Sequence, residues 1–392
     1  MGKSLRGGST LPSYRRFGAR SGAFSVILGI SLVVSACSSN AKNAGTSAAA
    51  ATPAGTASTA AAGGATAAGS TANAAASGGA SAPTETTKVN FTLNYLPGGA
   101  QAGFMYGKSL GIFQQHGIDL TITPGSGSLT TAELVAQGKV NIGYVDAATA
   151  FSVAAKGGAI KVVAPILQVN GYAIVSLKST GIDSVKALAG HSLSIVTGLA
   201  PTVLLPAVFA SGGVTADQIH EQNMASASQI GAILQHKVDA IVAAGDVQGP
   251  QLEEKGQQVN ELWYYKNGVP TVGESIVVNT NYLKDHGDVV KQFIAASLDS
   301  WVATQKNPEA AANAEAQQFP AEGTAAQELD QIKVDIGLLC AAPGATNMGE
   351  VPDEVWQRTQ AILEQFKLLP ANSDYTKWET TDYLPSTLPS CS

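Results

Sequence analysis

The chain has 392 residues and a formal net charge of −6, with charged residues making up only 13% of it. That acidic balance, with no basic cluster beyond the N-terminus, excludes a nucleic-acid-binding surface. Past residue 34 no apolar run approaches the ~20 residues of a membrane span, and three cysteines are too few for a cysteine-rich iron cluster.

Residues 1–36 carry Lys3, Arg6, Arg15, Arg16 and Arg20 and no acid, then the apolar run from Ala23 to Val34. A basic start, a short apolar core and small residues at the exit make an export signal. Its removal takes away five cations and moves the net charge from −6 to −11. Val34-Ser35-Ala36-Cys37 resembles the bacterial lipobox, which implies that Cys37 receives a lipid and becomes the new N-terminus. The other reading is cleavage after Ala36 that leaves Cys37 a free thiol. Residues 37–87 are nearly all Ala, Ser, Thr and Gly, with nothing to bury, and read as a disordered, lipid-anchored tether. A flexible coil of that length spans about 40 Å root-mean-square.

The folded part begins with Val89, Phe91, Leu93 and Tyr95 alternating with Asn90, Thr92 and Asn94, the period-2 signature of a strand. Pro97-Gly98-Gly99 breaks it, and from Ala102 the pattern turns helical, with Phe104, Leu110 and Phe113 about a turn apart and Gly111 loosening the end. Ile118 to Ile122 starts a second strand. Loops that join a strand's carboxyl end to a helix are where open α/β sheets hold ligands.

The same unit recurs. A small-residue loop, Pro124 to Ser128, precedes a helix through Ala136; Val140–Val145 and Lys161–Ile166 read as further strands. Strand, loop and helix in repetition predict a doubly wound, mostly parallel α/β sheet. The loop lacks the Gly-Lys-Ser/Thr ending of a phosphate cradle. Tyr172–Leu177 is an apolar strand that reads as a crossing into a second lobe. Within that lobe come a strand before Gly198, a helix from Pro201 to Phe209, helical residues 231–236, a strand from Val238 and another at Glu261–Tyr265. Glu274–Asn279 reads as the return crossing. The rest is mostly helix, with apolar faces on Val290, Phe293, Ile294, Leu298 and Trp301, and on Val355, Ile362 and Phe366 after Pro352.

Taken together, Tyr95-Leu96-Pro97, Gly103-Phe104, Gly111-Ile112-Phe113, Leu134–Lys139, Gly143 to Asp146, Gly249–Leu252 and Ile276–Asn279 resemble the solute-binding lipoproteins of bacterial ABC importers. Within these, the chain is similar to the group that binds alkanesulfonates, taurine, nitrate, riboflavin or the pyrimidine precursor of thiamine. The resemblance implies a two-lobed periplasmic-binding-protein type II fold, each lobe a mostly parallel sheet flanked by helices, with two crossing strands as hinge. On it, residues 88–172 and 277–392 form one lobe and 173–276 the other. It also implies a monomer without cofactor, lipid-anchored on the extracytoplasmic face of the cell membrane, that captures a small-molecule solute in the interlobe cleft and hands it to an ABC permease.

In the pyrimidine binders the first loop usually reads Trp-x-Pro-Asn-x-x-His-x-Gly. Here Tyr95 stands for the tryptophan, Gly98 for the asparagine and Gln101 for the histidine, which argues against that specificity. Tyr95 and Tyr172 are candidates to stack on a planar ligand, or simply to cap the core. Asp146, Asp246 and Glu274 fall at the expected cleft, where an acid at a helix start is either a ligand group or a cap. Ser126, Ser128, Thr197 and Thr202 offer hydroxyls under the same two readings. No Lys or Arg occurs in loops 95–103, 125–130, 146–149 or 197–202, which tilts the ligand toward a neutral or cationic heteroaromatic.

The five histidines, at 116, 191, 220, 236 and 286, have no metal-ligand spacing. Cys340 and Cys391 either form a disulfide or remain a buried and a frayed thiol. A rival reading is an enzyme, since a eukaryotic family on the same fold makes the thiamine pyrimidine. By that resemblance the chemistry needs a site histidine and a cysteine cluster, and it leaves the signal and tether unexplained. A ligand-presenting sensor is the other alternative.

Overall fold

The computed structural model describes residues 85–391, all within one of the chain's two compact units, Ala76–Ser392. The signal peptide, Cys37 and most of the tether lie outside the described residues.

Alternation makes the first strand: β1 (Thr87–Thr92) buries Val89 and Phe91 while Lys88 and Asn90 stay exposed. The chain then runs α1 (Ala102–Ser109), α2 (Ile112–Gln115), β2 (Ile118–Thr123), α3 (Ser128–Ala136), β3 (Ile142–Asp146), α4 (Ala147–Ala155) and β4 (Ile160–Pro165). Gly111, at φ +72°, is the point where α1 gives way to α2. Next come β5 (Tyr172–Leu177), β6 (Ser192–Ile195), α5 (Ala200–Ser211), β7 (His220–Asn223), α6 (Ser226–Leu234), β8 (Ala240–Ala244), α7 (Gly245–Glu254) and β9 (Val259–Trp263). Last are β10 (Glu274–Asn279), α8 (Thr280–Asp285), α9 (Gly287–Lys306), α10 (Pro308–Gln318), α11 (Ala325–Leu338) and α12 (Asp353–Gln365).

Two five-stranded sheets result, in the orders β2-β1-β3-β10-β4 and β7-β6-β8-β5-β9. In each, four strands run the same way and the fourth in order opposes both neighbours. That opposed strand is β10 in one sheet and β5 in the other, the strand laid down on arrival from the other side. The chain therefore passes between the sheets in the segments 166–171 and 264–273. Tyr172 pairs with Ala244 of the second sheet, and Glu274 with Asp146 of the first. The boundaries thus fall slightly before the expected 172/173 and 276/277, and β5 and β10 each belong to a single sheet. Both are buried at every position, so no change of pattern marks where a crossing ends and a strand begins. β7, with four exposed polar residues, carries no apolar pattern and escaped the sequence reading. Its ladder with β6 holds it at the edge.

The first lobe's core is aromatic. Phe91 stands 4.7 Å from Phe104 and 5.0 Å from Phe293 between ring centroids, and Phe104 meets Tyr144 edge-on at 5.0 Å. α1 lies close on α9 because Gly103 has no side chain. A Cβ there would come within 2.5 Å of the Trp301 ring.

α11 touches both lobes. Gly99 N–H, in the loop after β1, donates to Gln331 Oε1 at 3.0 Å, and Gln327 Nε2 donates to Glu254 Oε2 of α7 at 2.9 Å. A disulfide joins Cys340, just past α11, to Cys391. No helix among the described residues is long and apolar enough to cross a membrane.

Candidate functional site

Between the sheets lies a cavity of about 530 Å³, within the range of small-molecule sites. The first lobe contributes Asn94 to Gln101, at the carboxyl end of β1, and Gly127-Ser128 at the start of α3. The second contributes Leu199 to Pro201 ahead of α5, the first turn of α6, and Val242 to Gln248 across the β8–α7 junction. These are the strand-to-helix loops that the parallel arrangement gathers at one end of each sheet. Leu167, Gly171, Tyr172 and Glu274, beside the two crossings, complete the floor.

The floor is acidic. Asp146 ends β3 and caps α4, its Oδ1 accepting from Thr149 N at 3.0 Å and Thr149 Oγ1 at 3.3 Å. Its own N–H donates to Ser128 Oγ at 3.2 Å. Glu274 sits opposite Asp146 across the β3–β10 ladder. The Tyr172 hydroxyl donates its single proton to Glu274 Oε1 at 2.9 Å, which leaves Asp146 Oδ2 without a partner. Burial, followed by the Asp146 charge, pushes the Glu274 carboxyl up to about 8, although the Tyr172 hydrogen bond pulls the other way. Burial also raises Asp146, to about 6, against the lowering hydrogen bonds of Thr149.

One wall comes from α11, with Glu328, Gln331 and Asp335 at helical spacing on one face. Gly99 lets this helix approach: a Cβ there would meet Gln331 Cβ at 2.5 Å and Asp335 Oδ2 at 2.6 Å. Asp246, in the first turn of α7, also lines the cavity, close enough for its charge to act on Asp335. Burial raises Asp246 to about 6, and drives Asp335 well up with the help of the charges on Asp246 and Glu274. Glu328 rises to about 7, from burial and then Asp246. Behind it in α10, Glu315 is pushed well up by burial and by Glu328.

Of the residues singled out in the sequence, Tyr95, Gln101, Ser128, Tyr172, Asp246 and Glu274 line the cavity. Tyr95 is half-buried at the first loop. Gln101 is fixed by its Nε2 donating to Asn94 Oδ1 at 2.7 Å, and Asn94 is a lining residue the sequence did not flag. Asp146 stands one layer behind Ser128. Ser126, Thr197 and Thr202 do not line the cavity. Ser126 is exposed, the Thr197 hydroxyl and N–H both donate to Asn223 Oδ1 at 3.1 Å, and Thr202 Oγ1 donates to Val196 O at 2.8 Å. Thr197 thus ties its loop to the end of β7, and Thr202 serves its own turn. Missed entirely were Glu328, Gln331 and Asp335.

Lys255, exposed, is the one cation among the lining residues, which include no Arg, His or Cys. No group of three or more metal-ligating side chains is assembled among the described residues. Chemically, the arrangement offers several buried carboxyl acceptors, amide and hydroxyl groups such as Ser128, Gln248 and Gln251, and apolar flanks from Leu199, Pro201, Ile230 and Val242.

A family model described as "NMT1/THI5 like" matches residues 100–311. The fold is similar to that of the alkanesulfonate-binding protein SsuA from Xanthomonas axonopodis pv. citri, solved with MOPS. The TM-score is 0.60 and the identity 14%, over 76% of this chain and 99% of that one. It is also similar to the periplasmic nitrate-binding protein NrtA from Synechocystis PCC 6803, with TM-score 0.57 and 12% identity over 76% and 87% of the chains. The desulfurization enzyme DszB shares it as well, at TM-score 0.51 and 12% identity over 75% and 97%. No curated protein sequence matches the chain.

Proposed function

The chain belongs to the NMT1/THI5-like family, and on that premise we propose that it is the extracytoplasmic solute-binding component of an ABC importer. It captures a small organic solute between its lobes by hinge closure and delivers it to a permease, held at the membrane by a lipid on Cys37. The carrying observation is the cavity itself. Both lobes line it, at the carboxyl ends of their strands, and the lobes are joined by two short crossings. Such a layout lets one ligand touch both sides and favour the closed form by its differential contacts. An enzyme on this fold is a weaker reading, because the lining includes no His or Cys for nucleophile–base chemistry.

The test is a stability screen of the full-length protein against sulfonates, nitrate, flavins, pyrimidines and amines, paired with small-angle scattering. A true solute at 100 times its dissociation constant adds about 2.7 kcal/mol and contracts the particle. A protein that no solute class stabilises or contracts is not a capture device.

A further inference from the structure

We infer that the solute is an organic cation bearing N–H donors, a protonated amine, amidine or guanidine, and not an oxyanion. The inference rests on the solute-capture reading and names its ligand class.

Three acids carry it. Glu274, Glu328 and Asp335 are 5%, 2% and 1% exposed, all three line the cavity, and they come from two separate elements, β10 and α11. Glu274 Oε2, Glu328 Oε2 and Asp335 Oδ2 are each buried without a hydrogen-bond partner. Once ionised, a carboxylate oxygen only accepts, so each of these oxygens then needs a donor, and a bound cation both favours the ionised form and supplies that donor. Buried polar atoms are otherwise almost always paired, and three unpartnered carboxyl oxygens on residues that line one cavity fit a donor-rich group. Asp246 adds a fourth acid to the same wall space.

Charge points the same way. A sulfonate or nitrate placed here would meet acids on two walls, with the exposed Lys255 as the sole lining cation. Opposite charge within ~4–6 Å stabilises an ionised carboxylate, and like charge disfavours it. A bound cation therefore also offsets the burial first, and the neighbouring acids second, that disfavour the ionised forms in the free protein. Leu199, Pro201, Ile230 and Val242 give a hydrocarbon or ring skeleton an apolar flank. A quaternary ammonium fits poorly, since it has no N–H for the open oxygens and wants an aromatic cage.

Matched triads decide the matter. Calorimetry on the full-length protein compares benzamidine, benzamide and benzenesulfonate, and butylamine, butanol and butanesulfonate, with tetramethylammonium and nitrate alongside. The expected result is a cation that binds at least tenfold more tightly than its neutral and anionic partners. Glu274→Gln and Asp335→Asn should each weaken that cation at least tenfold. Two variants are used so that one poorly folded protein does not decide the outcome. Tighter binding of a sulfonate or of nitrate overturns the cation class while leaving solute capture standing. Tetramethylammonium equal to butylamine removes the role of N–H donors. Silence from every member of both triads and from nitrate sinks both readings.

Discussion

The Tyr172 hydroxyl lies 2.9 Å from Glu274 Oε1, a hydrogen bond between the first residue of β5 and the first residue of β10. One strand belongs to each sheet, so this contact ties the lobes together beside both crossings and at the floor of the cavity. It places Glu274 at the hinge and at the cavity at once.

That position has a pH signature. Glu274 is raised from an ordinary 4.5 to about 8 by burial first and by Asp146 second. An acid raised on folding binds its proton more tightly in the native state. Its stabilising contribution is full below about 4.5 and is lost as pH climbs through about 8. Asp146 and Asp246, at about 6, and Glu328, at about 7, act in the same direction, and Asp335 and Tyr172 face the same group. The free protein should therefore lose thermal stability from pH 5 to pH 8.5. Glu274→Gln keeps an acceptor for Tyr172 and has nothing to ionise, so its Tm should fall less steeply and exceed wild type at pH 8. Parallel Tm–pH curves for the two proteins would rule out the raised carboxyl.

Tyr95 is half-buried on the cavity side of the first loop. Tyr95→Ala should cost about 1–3 kcal/mol of ligand affinity if a planar group stacks there. Denaturant unfolding of the same variant should stay near wild type. A stability loss of about 3–5 kcal/mol, as for a core aromatic, with unchanged affinity would place the ring in the core instead.

The Cys340–Cys391 disulfide closes a stretch of 51 residues. Loop-closure entropy assigns such a bond about 4 kcal/mol. Reduction, or Cys391→Ser, should lower Tm by several degrees, and unreduced digests should yield the linked peptide pair. Two free thiols in protein isolated without reductant would remove the crosslink from the account.

Cys37 lies outside the described residues, but its lipidation can be tested directly. Cys37→Ser should release the protein from membranes or block its processing, as read by fractionation and mass. Processed Cys37→Ser protein that stays on the membrane would count against the anchor.

Much of the fold was readable because most strands bury one face or both. Val89 and Phe91 alternate with polar neighbours, and Tyr172–Leu177 and Glu274–Asn279 are continuous apolar-centred runs. β7 was not, because an exposed edge strand of His220, Glu221, Gln222 and Asn223 owes its conformation to pairing with β6 alone. In the site, Tyr95, Ser128 and Asp246 were visible as residues at strand-to-helix junctions, and Glu274 at the start of the return crossing. Glu328, Gln331 and Asp335 are remote in sequence and sit at i, i+3 and i+7 of an amphipathic helix, where a polar stripe ordinarily faces water. A signal was present in the neighbouring Ile332 and Leu338, which place part of that helix against the core. Only the tertiary arrangement turns the stripe inward, past Gly99.

β10 wedges between β3 and β4, and β4 pairs with no other strand of its sheet. During synthesis, then, the first sheet stays in two pieces until residue 279 has emerged, while every strand of the second sheet is already present by Trp263. The lobe that starts the chain finishes last, and the one inserted into it is free to mature first. Limited proteolysis of a chain truncated before Glu274 should accordingly spare the segment from Tyr172 to Trp263 and digest the strands that precede it.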